Sequence, residues 1–250
     1  LGFASVIATD SDGDQIAGRI NIVISDDVPT IIAESATNGM LTVDETNLAV
    51  NATANLGSVF DVAFGADQFG TVHYVFNVTA ASGLVDVATG AKIVLFSLGN
   101  VVEGRLQNTS TVAFRLTIDS SGQATLDQLR ALQHDDANNP DDLVSMSSTI
   151  IRLTATVTDS DGDTATATAF VGNALAFKDD GPSIDATAVD PNVLTLTTQD
   201  SNSSGAAFDV ASANFSSAFN LLSSTYGADG ASSGGSITWS YALALGSSSA

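Results

Sequence analysis

A six-residue run, Thr9-Asp10-Ser11-Asp12-Gly13-Asp14, returns letter for letter as Thr158-Asp159-Ser160-Asp161-Gly162-Asp163. Further matches follow in the same order: Asp26-Asp27-Val28-Pro29 with Asp179-Asp180-Gly181-Pro182, Phe60-Asp61-Val62-Ala63 with Phe208-Asp209-Val210-Ala211, and Phe64-Gly65-Ala66-Asp67 with Tyr226-Gly227-Ala228-Asp229. The period is about 150 residues, too long for a solenoid and suited to a string of separate domains. The boundaries this implies are 1–29 as the tail of one repeat, 30–182 as a complete repeat, and 183–250 as the opening of another. The chain starts and stops in mid-pattern, which reads as a segment of something longer. Drift in the offsets places the largest insertion between Ala211 and Tyr226.

Within 30–182 the periodicity is that of strands. Leu41–Val43, Val72–Val78, Ile93–Leu98, Val112–Ile118, Ala124–Leu126, Ile150–Val157 and Thr164–Phe170 are β-branched, aromatic or alternating. Asp119–Gly122 is a turn, and Asp161-Gly162 between two alternating runs is a hairpin signal. A short helical turn is expected at Leu126–Leu132. Many short strands with regular turns predict an all-β chain of antiparallel sandwich repeats.

Charge narrows the function. Asp and Glu number 28 against 7 Lys and Arg, a formal charge of -21. Such a surface repels nucleic acid and anionic membranes, and it invites a cation. There is no cysteine, so neither a disulfide nor a thiolate metal site is available. No apolar run is long enough to span a bilayer as a helix.

The acidic residues are clustered. Asp10, Asp12 and Asp14, and again Asp159, Asp161 and Asp163, put three carboxylates on one hairpin loop. Hard cations such as calcium take about six to eight oxygen ligands. The loop is not an EF-hand, because Thr164 and Phe170 stand where that motif needs Gly and Glu. The competing reading is a solvated turn in which Asp-Gly serves hairpin geometry alone; repetition and the charge imbalance favour the cation. Asp26-Asp27 and Asp179-Asp180 precede a proline, which stiffens each boundary and suits an interdomain cation site. A third acidic stretch, His134 to Asp142, including Asp135 and Asp136, reads as a loop that either binds a ligand or is merely soluble. His73 and His134 lack the spaced partners of a zinc motif. Trp239 and Tyr241, near the insertion Ser212–Thr225, are either core residues or a platform for a sugar ring. No nucleophile–His–acid set, phosphate loop or dinucleotide motif is present, and an enzyme is not expected.

Two families are resembled at these residues. The acidic linkers, the loop before the penultimate strand and Phe64-Gly65-Ala66-Asp67 leading to Val72-His73-Tyr74 resemble a cadherin-type pattern. The set Gly83–Asp86, Val101–Arg105, Leu126–Asp136, Leu153–Thr166 and Asp179–Pro182 is similar to the long repeat of giant type I-secreted RTX adhesins of Gram-negative bacteria. That resemblance implies an extracellular, cell-surface location, Ca2+ binding, a role in adhesion or biofilm, and repeats acting as a spacer. The partners implied are neighbouring repeats of the same chain, with host-cell or matrix glycans and proteins contacted through other domains. The alternatives are a carbohydrate- or protein-binding module of such an adhesin, or a subunit of an extracellular filament.

The resemblance also implies tandem immunoglobulin- or cadherin-like β-sandwich repeats, and with them a geometry. Asp159, Asp161 and Asp163 are expected to face Asp26 and Asp27, with Asp67 close by. Asp135, Asp136 and Asp142 are expected near Asp179 and Asp180, with Asp229 from the following segment. Asp10, Asp12 and Asp14 would serve a junction upstream. The alternative is that each hairpin loop holds calcium alone.

Overall fold

The computed structural model describes residues 2–23, 25–79, 81–136, 138–188, 212, 214–232 and 237. Those residues are all-β, with short 3-10 turns and no α-helix among them. Eighteen strands follow in chain order. A hairpin of β1 (Gly2–Thr9) and β2 (Gln15–Ile22) comes first. Short strands β3 (Thr30–Ala33), β4 (Leu41–Asp44), β5 (Ala52–Asn55) and β6 (Phe60–Ala63) lead to the long β7 (Gly70–Val78). A meander then runs through β8 (Ala81–Val85), β9 (Lys92–Ser97), β10 (Val101–Leu106), β11 (Val112–Ile118) and β12 (Gln123–Gln128). The remainder are β13 (Leu143–Ser145), β14 (Ile151–Asp159), β15 (Thr164–Phe170), β16 (Leu175–Lys178), β17 (Ser183–Ala188) and β18 (Phe219–Thr225).

One layer is the six-stranded sheet β5-β12-β11-β10-β9-β8. The other strands form the sheets β15-β14-β7, β13-β16-β4 and β3-β6, together with the two-stranded pairs β1-β2 and β17-β18. Alternation decides which side of each strand is buried. On β11, Phe114, Leu116 and Ile118 are fully or almost fully buried, and on β14 so are Ile151, Leu153, Ala155 and Val157. Side chains from both layers, including Leu95, Leu126, Phe76 and Leu153, belong to one core. Phe114 and Phe177 meet there with ring centroids 5.1 Å apart. Gly104, opposite Phe114, leaves the space that the aromatic ring fills.

The sequence reading needs two corrections. No helical turn forms at Leu126–Leu132: β12 runs to Gln128, with Ala124, Leu126 and Gln128 inward, and Leu129 is exposed. The three-residue spacing of Leu126, Leu129 and Leu132 imitates a helix, but β-pairing to β11 and β5 takes the backbone first. The sheets are also not wholly antiparallel, because β16 pairs with β4 in parallel, Leu175 opposite Leu41 through Lys178 opposite Asp44.

Registers gather the acidic loops at two poles. Gly70, the first residue of β7, lies opposite Asp159, the last of β14. The turn before β7 and the loop after β14 therefore share one end. At the other end, β4 and β16 stop side by side, and Leu143 of β13 lies opposite Lys178. Glu45, Asp142 and Asp179 emerge together.

Candidate metal centres

At the first pole the Asp159 loop is a tight hairpin. The Asp159 backbone N–H donates to the Asp163 carbonyl at 3.1 Å. Its Oδ1 accepts from the N–H groups of Gly162 at 3.1 Å and Asp163 at 2.7 Å. Gly162 has φ 106°, a region that glycine enters without strain. Asp159 is only 6% exposed, and its Oδ2 has no hydrogen-bond partner among the described residues. Carboxylate oxygens of Asp26, Asp161 and Asp163 lie within 4.8 Å of one another. The loop thus meets the linker that precedes β3. Asp27 points to the other wall: its Oδ2 accepts from the Ala66 N–H at 2.9 Å. Gly65 has φ 70°, and a Cβ there would run into the Asp27 carboxylate. Asp67 ends the same 3-10 turn, Gly65–Asp67; its side chain lies outside the described part of the structure.

The Asp10 loop shares two of these bonds, although Gly13 N–H donates to the Asp10 carbonyl at 3.3 Å where Gly162 N–H donates to the Asp159 side chain. Asp10 N–H donates to the Asp14 carbonyl at 3.0 Å, and Asp14 N–H to Asp10 Oδ1 at 2.9 Å. Hydrogen bonds, first from the neighbouring Asp12 side chain and then from Asp14, hold the Asp10 carboxyl below its ordinary value. Oxygens of Asp10, Asp12 and Asp14 lie within 4.8 Å, all on exposed residues. No linker from another segment meets them among the described residues.

The second pole is more deeply buried. Oxygens of Glu45, Asp179, Asp180 and Asp229 lie within 4.8 Å of one another. Asp180 Oδ2 accepts from the Ala228 N–H at 2.8 Å, and Gly227 has φ 76° with its missing Cβ directed at the Asp180 carboxylate. This repeats, atom for atom, what Asp27 does with Gly65 and Ala66. The register matches too: Thr30 lies opposite Ala63, and Ser183 opposite Thr225, immediately before the two turns. The strand standing where β6 stands is therefore β18, within the stretch read as an insertion. The sequence match with Phe208–Ala211 concerns residues outside those described, as do Trp239 and Tyr241.

Glu45 was not legible as a site residue. It is 2% exposed, on the 3-10 turn after β4. Its Oε1 accepts from Gln128 Nε2 at 2.6 Å and Leu132 N–H at 2.9 Å, whereas Oε2 has no partner. Burial pushes its carboxyl from 4.5 up to about 7. Burial likewise raises Asp179 and Asp229, with neighbouring carboxylates adding repulsion at each. Asp180 Oδ1 and Asp229 Oδ1 are also buried without partners. The only local sequence signal was the acidic pair Asp44-Glu45 closing a strand. The His134 side chain, 4% exposed, reaches within 3.5 Å of Glu45 Oε1.

Asp135 and Asp136 do not join this cluster. Asp136 Oδ1 instead caps the Asn138 N–H at 3.0 Å, and its own N–H donates to Asp142 Oδ2. The Asp142 carbonyl accepts from Asp179 N–H at 2.8 Å, which ties that loop to the linker. Lys178 adds ion pairs to Asp44 and Asp141. Deeper, Asp86 holds Arg130 at 2.6 Å and bridges to Leu132, fixing the segment that donates to Glu45. The cleft lined by Thr46, Pro140, Asp179, Asp180 and Asp229 has a volume of about 500 Å³.

Both poles therefore carry acidic clusters able to hold a metal ion. Among the described residues, four carboxylate oxygens, on Glu45, Asp159, Asp180 and Asp229, are buried without a hydrogen bond. A buried anion is stable only when paired, protonated or coordinated, so the residues fit a divalent cation bound through oxygen. No helix among the described residues is long and apolar enough to cross a membrane. Residues 40–172 match a family model described as "Domain of unknown function (DUF5801)". No curated protein matches the chain.

Proposed function

From a chain that belongs to the DUF5801 family, whose model spans residues 40–172, we propose a calcium-rigidified extender segment of a long secreted bacterial adhesin. The observation that carries the reading is the doubled junction. Asp27 on Gly65-Ala66 and Asp180 on Gly227-Ala228 make the same contact, about one repeat apart, each beside unpartnered carboxylate oxygens. Calcium at each junction would draw ligands from both sides of a linker. At the first, the candidates are Asp26, Asp159, Asp161 and Asp163; at the second, Glu45, Asp179, Asp180 and Asp229.

Such a tie removes the hinge between neighbouring units. A row of tied units stays extended and carries a distal domain away from the cell surface. Extracellular calcium modules bind at roughly 10⁻⁴–10⁻³ M, which suits filling outside the cell and emptying inside it. Without the cation, a charge of -21 disfavours the compact state, which helps a chain that leaves the cell unfolded.

Thermal unfolding in millimolar calcium, in magnesium and after chelation tests the proposal. A calcium-selective rise in Tm is expected; at free calcium about 100 times Kd, each site adds about 2.7 kcal/mol. Equal Tm values in calcium and chelator would refute it.

A further inference from the structure

An all-oxygen calcium site does not account for His134. Its side chain is 4% exposed, yet neither Nδ1 nor Nε2 has a hydrogen-bond partner among the described residues. A buried imidazole ordinarily satisfies at least one nitrogen through a carbonyl, a hydroxyl or a metal. Here one ligand atom each from Glu45, His134 and Asp179 lies within 4.8 Å of the other two. Glu45 Oε2 is unpartnered, and His134 Nε2 lies 3.5 Å from the other oxygen, Oε1. No histidine stands in the acidic cluster of the first pole, where the donors are Asp26, Asp161 and Asp163.

We propose that Glu45, His134 and Asp179 form a position for a borderline divalent metal, of which Zn2+ is the best match, beside the calcium position at the second pole. Imidazole nitrogen favours zinc over calcium, and two carboxylates with one histidine complete three of zinc's usual four ligands. Binding contracts the trio, because zinc takes nitrogen and oxygen at about 2.0–2.2 Å. Gln128 Nε2 and Leu132 N–H, both on Glu45 Oε1, are the outer hydrogen bonds that orient the carboxylate and leave Oε2 for the metal. The proposal shares Glu45 and Asp179 with the calcium reading, and rests on it only in needing the linker folded against Glu45. The consequence is a junction that responds to two metals, where the first pole responds to one.

The chain has two histidines, which makes the test direct. Zn2+ is titrated into the calcium-loaded protein by calorimetry while the imidazole nitrogens are followed by NMR. Zinc is expected to shift the nitrogens of His134 and leave those of His73, exposed on β7, unchanged. His134→Gln should weaken zinc binding at least about ten-fold, and His73→Gln by less than about two-fold. The calcium-induced rise in Tm should survive in His134→Gln. Zinc bound equally by His134→Gln, or zinc bound without movement of the His134 resonances, overturns the proposal. Because the NMR arm uses the unsubstituted chain, a misfolded variant does not rescue it. A calcium effect with no zinc response at His134 sinks this proposal alone. A zinc response at His134 with no calcium effect sinks the calcium reading and leaves this one standing.

Discussion

Removing calcium should make the protein less stable as pH rises from 5 to 7.5, and Glu45 sets most of that slope. In the unfolded chain its carboxyl titrates near 4.5; in the folded, metal-free protein burial lifts it to about 7. The folded state therefore keeps the proton over a range where the unfolded state has lost it. The contribution is complete below pH 4.5 and is lost as pH rises through 7. At 1.36 kcal/mol per pKa unit the difference amounts to about 3 kcal/mol. Asp179 and Asp229, raised by burial and by one another's charge, act in the same direction. Carboxyls held low by hydrogen bonds and cations, such as Glu103 between Arg105 and Arg115, contribute their stability above the unfolded pKa and lose it only in acid, so they leave this window undisturbed. Urea unfolding followed by circular dichroism in calcium-free buffer at pH 5, 6, 7 and 7.5 measures the slope. Saturating calcium should flatten it, since the cation takes the proton's place. Glu45→Gln keeps an oxygen for Gln128 and Leu132 and should reduce the calcium-free change in stability between pH 5 and 7.5 by about 2.5 kcal/mol. A calcium-free stability that is level from pH 5 to 7.5, or a Glu45→Gln slope equal to that of the unsubstituted chain, would mean that Glu45 does not hold a proton in the folded protein.

Other substitutions separate the poles from the body of the fold. Gly65→Ala puts a Cβ against the Asp27 carboxylate at φ 70°, and should cost about 1–2 kcal/mol and shrink the calcium-induced Tm shift. Leu153→Ala, in the core of β14, should cost about 2–5 kcal/mol in urea unfolding and leave the calcium shift in place. Asp86→Ala strands the Arg130 guanidinium and loosens the segment that donates to Glu45, so both stability, by about 3 kcal/mol, and calcium affinity should fall together in calorimetry. Glu103→Ala, on the outer face of the six-stranded sheet, should cost about 1 kcal/mol with no change in calcium response, because Arg115 is substantially exposed and the pairs are screened.

The strands were legible where one face is dry. Val112–Ile118 and Thr164–Phe170 have the bounds that alternation and turn residues predict. The two Asp-Gly hairpins were legible because the turn chemistry is local and needs nothing from the rest of the chain. Leu126–Leu132 failed because a three-residue leucine spacing carries no information about which backbone partners lie alongside. The parallel pairing of β4 with β16 joins residues more than a hundred positions apart, and no local pattern encodes it. At the site, Asp26 with Asp161 and Asp163 was reachable from the repeat and the resemblance. Glu45 was not: with Asp44 it makes an ordinary acidic pair at a strand end, and only the side-by-side ends of β4 and β16 bring it to Asp179. His134 looked solitary because the acids beside it, Glu45 and Asp179, follow β4 and β16 and are remote from it in sequence. Asp135 and Asp136 were expected near the linker from the geometry the resemblance implies, but the Asp136 side chain caps the Asn138 N–H of its own loop.

The parallel pair β4–β16 also decides how the molecule answers a pull. Tension applied before Thr30 and after Lys178 first loads β3 against β6; once it reaches Leu41 it drags β4 and β16 past one another lengthwise, because the chain then enters at the start of one and leaves at the end of the other. Their ladder bonds are then loaded together, in shear, and must fail together. An antiparallel pair gripped at its open end would unzip one bond at a time. Forced rupture is governed by the unfolding rate rather than by equilibrium stability, so this arrangement sets mechanical lifetime apart from Tm. Lys178, bonded to Asp44 on the neighbouring strand and to Asp141 on the following loop, lies at the point where that load would enter.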